Sequence, residues 1–477
     1  MVVRHQTGDS SASLNNSEGT DSRYDDNGKE DGGKFLDIWY NYTSSTTLHC
    51  LSRATKVDSS LIRRLLWYIF LAAMLGLLVW QSYTQISRYL KTETLLNEHS
   101  AIDEEKNFPS VTICDVNHVK TSTVNDPRIR ELLSKTYMAN KKDSSYFNAL
   151  DVNWTKSIDV ADIFYKRSVF DMFLLCLWQN KPVRCESIFI SRMTKAGICA
   201  TLKNIKLSEN DGIGSGMGLT VILHSNISDY LVTSRAGSGF RVLLHTKNEE
   251  PDVDEHGLAL SLGTASIISA TKYQTSFLRH PIPAFGDDFC IDTTASDYVH
   301  QLKYITHYSY GACRLDCFTE YVVDMCGCKD VFLPGDGPIC DIFQKVNCHD
   351  KAADSFPNNS SCECSYPCET VSYSTELSQG SFPSPGYLED TFPDLNVSAE
   401  YMKENGLMLE VFLDSKMYFR REQILQFTNS DLVASIGGYM GLFIGASFGT
   451  LMELVEFFFD MILKFFKMLT TRSQSSM

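Results

Sequence analysis

Two acidic residues lie inside an apolar run near the end of the chain. Residues 432–463 are almost entirely apolar, and their only charges before Asp460 are Glu453 and Glu456. Carboxylates inside an intramembrane segment are rare and usually face water or the interior of a helix bundle. If several copies of the chain bring them together, a ring of carboxylates concentrates cations and repels anions.

Small residues precede these acids. Gly445, Ala446 and Ser447 allow helices to approach closely and leave backbone carbonyls and hydroxyls exposed to a pathway between them. Glycines also recur every four residues from position 437 to position 449, which is the spacing of a packing motif in membrane helices. Helix pairing in a membrane dimer is therefore an alternative interpretation, although it does not explain the two acids.

A first apolar run, LLWYIFLAAMLGLLVW at residues 65–80, has the composition of a membrane span. A signal peptide is the alternative, but a long polar segment precedes the run and no small-residue cleavage pattern follows it. Basic residues flank the outer ends of both runs, at positions 53, 56, 63 and 64 and at positions 464, 467 and 472. The positive-inside rule then places both termini in the cytosol.

We expect both runs to cross the lipid bilayer of the plasma membrane. They divide the chain into six segments. They are a disordered cytosolic tail at 1–34, a pre-membrane segment at 35–64, a first transmembrane helix at 65–87, an extracellular domain at 88–428, a second transmembrane helix at 429–463 and a cytosolic tail at 464–477.

Fourteen of the 15 cysteines lie between the two runs, and only Cys50 precedes them. This even number predicts disulfides in an extracellular domain. Zinc binding by the two C-x-C pairs, at 326–328 and 362–364, is the alternative, but few histidines lie nearby, so no metal is expected. Glycosylation sequons also fall between the runs, at Asn153, Asn226, Asn358, Asn359 and Asn396.

The composition excludes several classes of protein. With 43 basic and 58 acidic residues the net charge is −15, which argues against a nucleic-acid partner. Apolar and polar spacing predicts strands at 109–113, 220–223 and 240–244 and helices at 128–137, 169–178 and 398–405. The extracellular domain is therefore predicted to be mixed α/β. No catalytic motif rises above chance, so we expect neither an enzyme nor a cofactor.

Sequence landmarks along the chain resemble the degenerin/epithelial sodium channel family, and its acid-sensing ion channels most closely. YGACRLDCFTEYVVDMCGCKDVFLPGDGPIC at 310–340 resembles the cysteine-rich thumb of that family. STTLHC at 45–50 resembles its His-Gly box, FPSVTIC at 108–114 its post-membrane motif, and IGGYMGLFIGAS at 436–447 its second span and selectivity filter. The resemblance covers residues 45 to 456.

The resemblance implies a fold and a disulfide pairing. The fold is a two-transmembrane-helix protein with a large disulfide-rich mixed α/β ectodomain, a thumb at about 290–370, and the trimeric architecture of acid-sensing channels. The implied disulfides are Cys114–Cys199, Cys176–Cys185, Cys290–Cys368, Cys313–Cys364, Cys317–Cys362, Cys326–Cys348 and Cys328–Cys340.

The resemblance also assigns roles near the membrane. It makes Gly445, Ala446 and Ser447 the selectivity filter for permeant Na⁺, with Glu453 and Glu456 as an inner acidic ring. It makes Ala434 the degeneration position beside the gate, followed by Ser435 where acid-sensing channels have Asp. His49 and Cys50 form the pre-membrane box, in which Cys50 replaces glycine, and Tyr89 and Phe285 form an aromatic contact that couples wrist to thumb.

The residues that would sense the opening stimulus match the family only in part. Asp350 and Asp354 match the thumb side of the proton-sensing carboxylates, but their partner stretch, DYLVTSRAG at 229–237, lacks the acid pair. Leu90 and Lys91 replace the histidine pair of the family. Remaining histidines that are able to titrate near neutral pH are His224, His245, His256, His280, His300 and His307.

We therefore expect a subunit of a homo- or heterotrimeric, amiloride-sensitive sodium channel opened by protons or a neuropeptide. The alternative is a non-conducting or obligate heteromeric auxiliary subunit, or an adhesion receptor, on the same scaffold. An ATP-gated two-span channel is disfavoured because its site needs clustered extracellular lysines or arginines to bind phosphates, and no such cluster lies among these landmarks.

Overall fold

The computed structural model describes two compact units, which we call the terminal unit and the central unit. The terminal unit comprises the described residues of Met1–Glu93 and Gln426–Met477, and the central unit is Thr94–Leu425. The described residues are 30–48, 50–56, 60–104, 106–138, 146–147, 149–166, 168–208, 211–233, 237–299, 302–356, 362–393 and 397–474.

The helices, in chain order, are α1 Glu30–Ser45, α2 Leu51–Thr55, α3 Leu61–Leu90, α4 Pro127–Tyr137, α5 Val152–Lys156, α6 Val160–Tyr165, α7 Cys185–Ile188, α8 Val253–His256, α9 Tyr310–Cys326, α10 Ile342–Gln344, α11 Asp350–Ser355, α12 Tyr387–Thr391, α13 Ala399–Asn405, α14 Asn429–Ile444 and α15 Phe448–Gln474. Short 3₁₀ helices occupy Thr121–Thr123, Val169–Met172 and Ile227–Asp229, and a π-helical turn occupies Lys345–His349.

The strands are β1 Thr94–Ile102, β2 Ser110–Asp115, β3 Asn117–Lys120, β4 Phe173–Trp178, β5 Lys181–Val183, β6 Phe189–Thr194, β7 Gly197–Leu202, β8 Leu219–His224, β9 Tyr230–Thr233, β10 Phe240–His245, β11 Leu258–Leu260, β12 Thr264–Ser276, β13 Glu369–Ser381, β14 Gly406–Leu413 and β15 Met417–Leu425.

The terminal unit is helical because its sequence is apolar over long stretches. Among the described residues, α3 is the one helix that is long and apolar enough to cross a membrane by itself. Helix α14 and the first part of α15 meet that criterion only together, because a break of three residues between them bends the chain by 76°. The second predicted span is thus a broken helix.

The described part of the central unit contains two large sheets that share one core and a two-stranded sheet of β3 and β9. The larger sheet has the order β1-β15-β12-β14-β8-β4-β5, with β13 paired to β12, and the other has the order β11-β10-β2-β7-β6. Strands β2 and β8 are buried along nearly their whole length, and most of β14 is buried as well. Such continuous burial is typical of strands covered on both faces.

The expected strands at 109–113, 220–223 and 240–244 correspond to β2, β8 and β10, and two of the three expected helices correspond to α4 and α13. Helix α13 begins after Ser398, whose hydroxyl accepts a hydrogen bond from the Tyr401 amide, as expected for an N-cap. The helix expected at 169–178 is wrong. After one 3₁₀ turn the chain forms β4, because its apolar residues pair with β8 and Cys176 bonds to Cys185 at the hairpin with β5.

The cysteine-rich region at about 290–370 is built on α9. Its apolar core is small among the described residues and consists of Ile305, Ala312, Leu315, Val322, Leu333 and Ala352. Seven disulfides are present, and their pairs are those implied by the resemblance; five of them staple this region. Covalent links compensate for a core too small to hold such a segment by burial alone.

Candidate functional site

The break between α14 and α15 consists of the predicted filter residues, Gly445, Ala446 and Ser447. Gly445 has φ 67°, a left-handed conformation that glycine adopts without steric cost. The amides of Gly445 and Ala446 donate to the carbonyls of Gly441 and Met440, both at 3.1 Å. The helix therefore ends in a defined turn, and three small residues lie between two apolar helices.

Below the break, Ser447 and Thr450 bond to each other and start the next helix. The Ser447 amide donates to Thr450 Oγ1 at 3.1 Å, and the Thr450 amide donates to Ser447 Oγ at 3.4 Å. Thr450 Oγ1 also lies 2.7 Å from Thr47 Oγ1. Thr450 is 3% exposed, so its hydroxyl belongs to a buried polar network.

Glu453, the first residue of the predicted acidic ring, is held by the pre-membrane segment. Its Oε2 atom accepts hydrogen bonds from Thr46 Oγ1 and the Thr47 amide, both at 3.1 Å, and from Thr47 Oγ1 at 3.3 Å. Glu456, one turn further along α15, is exposed. The two acids therefore differ: one is a partner of Thr46 and Thr47, and the other is open to its surroundings.

The pre-membrane box is described only in part, because His49 lies outside the described residues. Cys50 immediately precedes α2 with φ 71°, and it is a free, half-buried thiol. A left-handed conformation costs a residue with a Cβ roughly 1–2 kcal/mol, which glycine avoids. Cys50 therefore occupies a backbone conformation that suits the glycine it replaces.

The start of α14 is joined to α3 by polar contacts. Tyr89 donates a hydrogen bond from its hydroxyl to Asn429 Oδ1 at 2.6 Å, and Gln85 Nε2 donates to the Tyr439 hydroxyl at 3.0 Å. Ala434, the predicted degeneration position, is exposed on α14, and Ser435 beside it is half-buried. Sequence reasoning assigned Tyr89 to coupling but did not anticipate Asn429 as its partner.

Phe285 belongs to the central unit and lies in a group of aromatic rings. Its ring centroid is 4.4 Å from that of Phe277 and 5.3 Å from that of Tyr366. Tyr366 stacks on Tyr310, the first residue of α9, at 4.1 Å. Phe285 is thus connected through ring contacts to the start of the thumb helix, while its coupling to Tyr89 stays a prediction.

The thumb carboxylate Asp350 belongs to a largely buried ionic cluster. Lys345 Nζ lies 2.8 Å from Asp350 Oδ1 and 2.7 Å from Asp330 Oδ2. His349 Nδ1 lies 3.1 Å from Asp350 Oδ1. Burial raises the pKa of the Asp330 carboxyl, but the charge of Lys345 and that of His349 outweigh burial and hold this pKa below its usual range. Asp354, the second predicted residue, is exposed.

His245 does not match the expectation that it titrates near neutral pH. Its ring is 3% exposed, and Nε2 lies 2.7 Å from Thr112 Oγ1. Burial is the main reason that the pKa of His245 is lowered to about 4. This histidine is a buried structural residue, and His300 lies outside the described residues.

The glycosylation sequons are only partly described. Asn153 and Asn226 are exposed, whereas Asn358, Asn359 and Asn396 lie outside the described residues. Asn226 Oδ1 accepts hydrogen bonds from the amide and hydroxyl of Ser228, the last residue of its sequon. Both described sites are on the surface of the central unit, where a glycan has room.

Comparison with known proteins identifies the class of protein that these features define. The family model described as "Amiloride-sensitive sodium channel" matches residues 42–457. The chain therefore belongs to the amiloride-sensitive sodium channel family, which is a family of ion channels and not of enzymes.

Individual relatives agree with this assignment. The chain is 30% identical to acid-sensing ion channel 4-B of Danio rerio, over 88% of this chain and 75% of that protein. It is 27% identical to acid-sensing ion channel 1A of Danio rerio, over 88% and 87%, and 28% identical to acid-sensing ion channel 2 of Homo sapiens, over 88% and 86%. Among solved structures, a proton-activated chloride channel matches 83% of this chain and 98% of that chain with 9% identity and a TM-score of 0.32.

Proposed function

We propose that the chain is a subunit of a sodium-selective, amiloride-sensitive cation channel of the plasma membrane, opened by an extracellular ligand. The observation that carries this proposal is the helix break at Gly445, Ala446 and Ser447, two turns before Glu453. Three short residues between helices expose backbone carbonyls and a hydroxyl, the groups that replace water around a permeating cation.

Conduction requires several copies of the chain. A protein with one continuous span and one broken span has too few helices to enclose a water-filled path. The resemblance to acid-sensing channels supports a trimer, homomeric or heteromeric, with both termini in the cytosol and the central unit outside. In such a trimer, three copies of the break surround one axis and form the filter.

The two acids make different contributions in this proposal. Glu453 already binds Thr46 and Thr47, so its charge is partly satisfied by hydrogen-bond donors. Glu456 is exposed and free to attract cations at the inner mouth. We expect Glu456→Gln to lower single-channel conductance more than Glu453→Gln. Single-channel recording checks this order, and the reverse order would contradict the assignment.

The opening stimulus is an extracellular proton or a neuropeptide. The names of the relatives favour protons. The ion pair between Asp350 and Lys345 argues against proton sensing at this position, since a proton-sensing carboxylate needs an acidic neighbour rather than a lysine. Both stimuli are therefore tested together.

A second candidate is a non-conducting or obligate heteromeric auxiliary subunit, or an adhesion receptor. Two residues favour it: Cys50 has the left-handed conformation in place of glycine, and Ser435 stands where acid-sensing channels have Asp. The first change strains the pre-membrane box, and the second removes an outer ring of negative charge.

The test is whole-cell current in injected oocytes during pH steps and a neuropeptide panel, with amiloride as blocker. Ala434→Phe is expected to hold the channel open and give a constitutive, amiloride-blocked Na⁺ current. Ala434→Ser, which keeps the side chain small, is the matched control and is expected to behave as the wild type. No current from any variant, with protein at the cell surface, would contradict a homomeric channel and favour the auxiliary subunit.

A further inference from the structure

A cavity of about 340 Å³ lies within the central unit and belongs to none of the features described above. Three segments line it: the turn after β10, residues from 293–298 and 306–309 ahead of α9, and the start of β13. It is open to solvent, which permits a ligand to enter. A concave surface between three separate segments is a common location for a small-molecule site.

The charged groups of this lining are acidic. Among the described residues, the lining contains the carboxylates of Glu249 and Glu369, the imidazole of His307 and two tyrosines, but no lysine or arginine. Arg279 lies outside the lining, 3.6 Å from Glu369, and offsets part of that charge, so Glu249 is the carboxylate that gives the cavity its negative character. A neighbouring cavity of about 160 Å³ differs, since Lys195 and Lys329 balance Glu250 and Asp252 there. The larger cavity therefore attracts cations and the smaller one has no such preference.

Glu249 is one of the two carboxylates that line the cavity. Its Oε2 atom accepts hydrogen bonds from the Thr246 amide and hydroxyl, both at 3.3 Å. The nearby guanidinium of Arg192 is committed to Glu250 at 2.7 Å and contacts only the backbone carbonyl of Glu249. Within the described part of the chain, no lysine or arginine forms an ion pair with Glu249. Burial accordingly raises the pKa of this carboxyl above its usual range.

Two aromatic rings complete the lining. Tyr298 and Tyr308 lie with ring centroids 6.3 Å apart and planes at 77°. The Tyr308 hydroxyl donates to the Ser365 carbonyl at 2.7 Å, but the Tyr298 hydroxyl oxygen is buried without a hydrogen-bond partner among the described residues. Electron-rich ring faces beside a carboxylate bind organic cations.

A bare metal ion fits these residues less well. Among the described residues, one group of at least three potential metal ligands has its ligating atoms within 4.8 Å of one another, and it consists of Asp252, Glu255 and His256. The carboxylates of the cavity do not form such a group. The volume and the tyrosines instead suit a ligand with several non-hydrogen atoms.

We propose that this cavity binds a small organic cation, a primary ammonium or a guanidinium, with Glu249 as its counter-ion and Tyr298 and Tyr308 as its aromatic walls. Binding itself does not depend on conduction, but a role in opening the channel rests on the function proposed above. The binding test therefore uses no current, so that its failure and the failure of the channel proposal remain distinct.

The experiment uses full-length protein in detergent and saturation-transfer NMR with two probes of the same shape. n-Butylguanidinium carries the charge, and n-butylurea is its neutral counterpart. We expect saturation transfer to the first probe at millimolar concentration and none to the second. Glu249→Gln is expected to weaken binding about tenfold, which is about 1.4 kcal/mol. Glu376→Gln, which removes one exposed charge from the same strand as Glu369, is expected to leave binding unchanged.

Thr306→Lys provides a second variant that does not disturb the hydrogen bonds of Glu249. Thr306 is exposed on the cavity wall, and a lysine there supplies an internal ammonium that competes with the probe. Gel-filtration profiles and melting temperatures of all variants report whether the fold is kept. Equal transfer to both probes, no transfer to n-butylguanidinium, or unchanged binding in a folded Glu249→Gln protein would each overturn the proposal.

Discussion

The thumb and the helix break are held by different kinds of interaction. In the thumb, five disulfides and a buried cluster around Lys345 fix a segment with a small apolar core. At the break, hydrogen bonds of Ser447, Thr450, Thr47 and Glu453 are the fixing contacts. A covalent framework resists rearrangement, whereas hydrogen bonds exchange at modest cost. The comparison indicates that the break changes conformation more readily than the thumb does.

The largest effect is expected from Lys345→Met in the thumb. It leaves the buried Asp330 carboxylate without its cation, which costs about 3–5 kcal/mol of unfolding free energy. Thermal unfolding of the detergent-solubilised protein measures it. Lys303→Met is the matched control, because the Lys303–Glu320 pair is exposed and is worth about 0–1 kcal/mol. Equal losses in both variants would show that burial does not strengthen the cluster.

The same cluster predicts that the free energy of unfolding depends on pH. Because the folded-state pKa of Asp330 lies below its usual 3.8, its ionisation stabilises the wild type above that value. This contribution is lost as pH falls through the folded-state pKa. In Lys345→Met the buried carboxyl no longer has its cation, so we expect the deficit relative to wild type to shrink on acidification. A deficit that grows on acidification would contradict this assignment.

The next effect concerns the disulfides. Cys313→Ser with Cys364→Ser opens a link between residues 51 apart in sequence, for which a loss of about 2–4 kcal/mol is typical. Melting temperature under non-reducing conditions measures the loss. Cys50→Ser, at the free cysteine, is the control and is expected to change stability little. An unchanged melting temperature in the double variant would mean that the thumb does not depend on this link.

A smaller effect is expected at the break. Thr47→Val removes the hydroxyl that contacts Glu453 and Thr450, and we expect a loss of about 1–2 kcal/mol. The measurement is again thermal unfolding. Thr55→Val is the control, since the Thr55 hydroxyl bonds only within its own short helix, to the Leu51 and Ser52 carbonyls. If both variants melt alike, the contact between the pre-membrane segment and α15 contributes nothing.

The smallest expected effect is a gain in stability. Cys50→Gly removes the Cβ from a left-handed residue, which we expect to stabilise the protein by about 1 kcal/mol after the entropy cost of glycine. Cys50→Ala keeps the Cβ and removes the thiol, so it separates the two causes in the same melting experiment. A gain of the same size in Cys50→Ala would assign the effect to the thiol.

The family landmarks were predictable because they consist of residue types at fixed short spacings. The cysteines at 313, 317, 326, 328 and 340 and the filter residues at 445–447 are of this kind, and the resemblance supplied the pairing. The position of β2, β8 and β10 followed from apolar runs. The strand β4 was missed because the short apolar run at residues 172–178 is compatible with either a helix or a strand.

Contacts between distant parts of the sequence were not predictable. Thr46 and Glu453 are 407 positions apart, and no periodicity links a threonine before the first span to an acid after the break. Lys345 was overlooked because its partners Asp330 and Asp350 converge only after α10 and the following turn form. A threonine at 450 within an apolar helix was the one local signal of a polar network.

The central claim is that cations pass the break at residues 445–447 with selectivity for Na⁺. The most direct measurement is the reversal potential of the amiloride-blocked current in Ala434→Phe oocytes, with external Na⁺ replaced stepwise by K⁺. The account predicts a reversal potential that follows the Na⁺ gradient and moves strongly negative as Na⁺ is removed. A reversal potential that does not change with this replacement, or follows Cl⁻ instead, would contradict it.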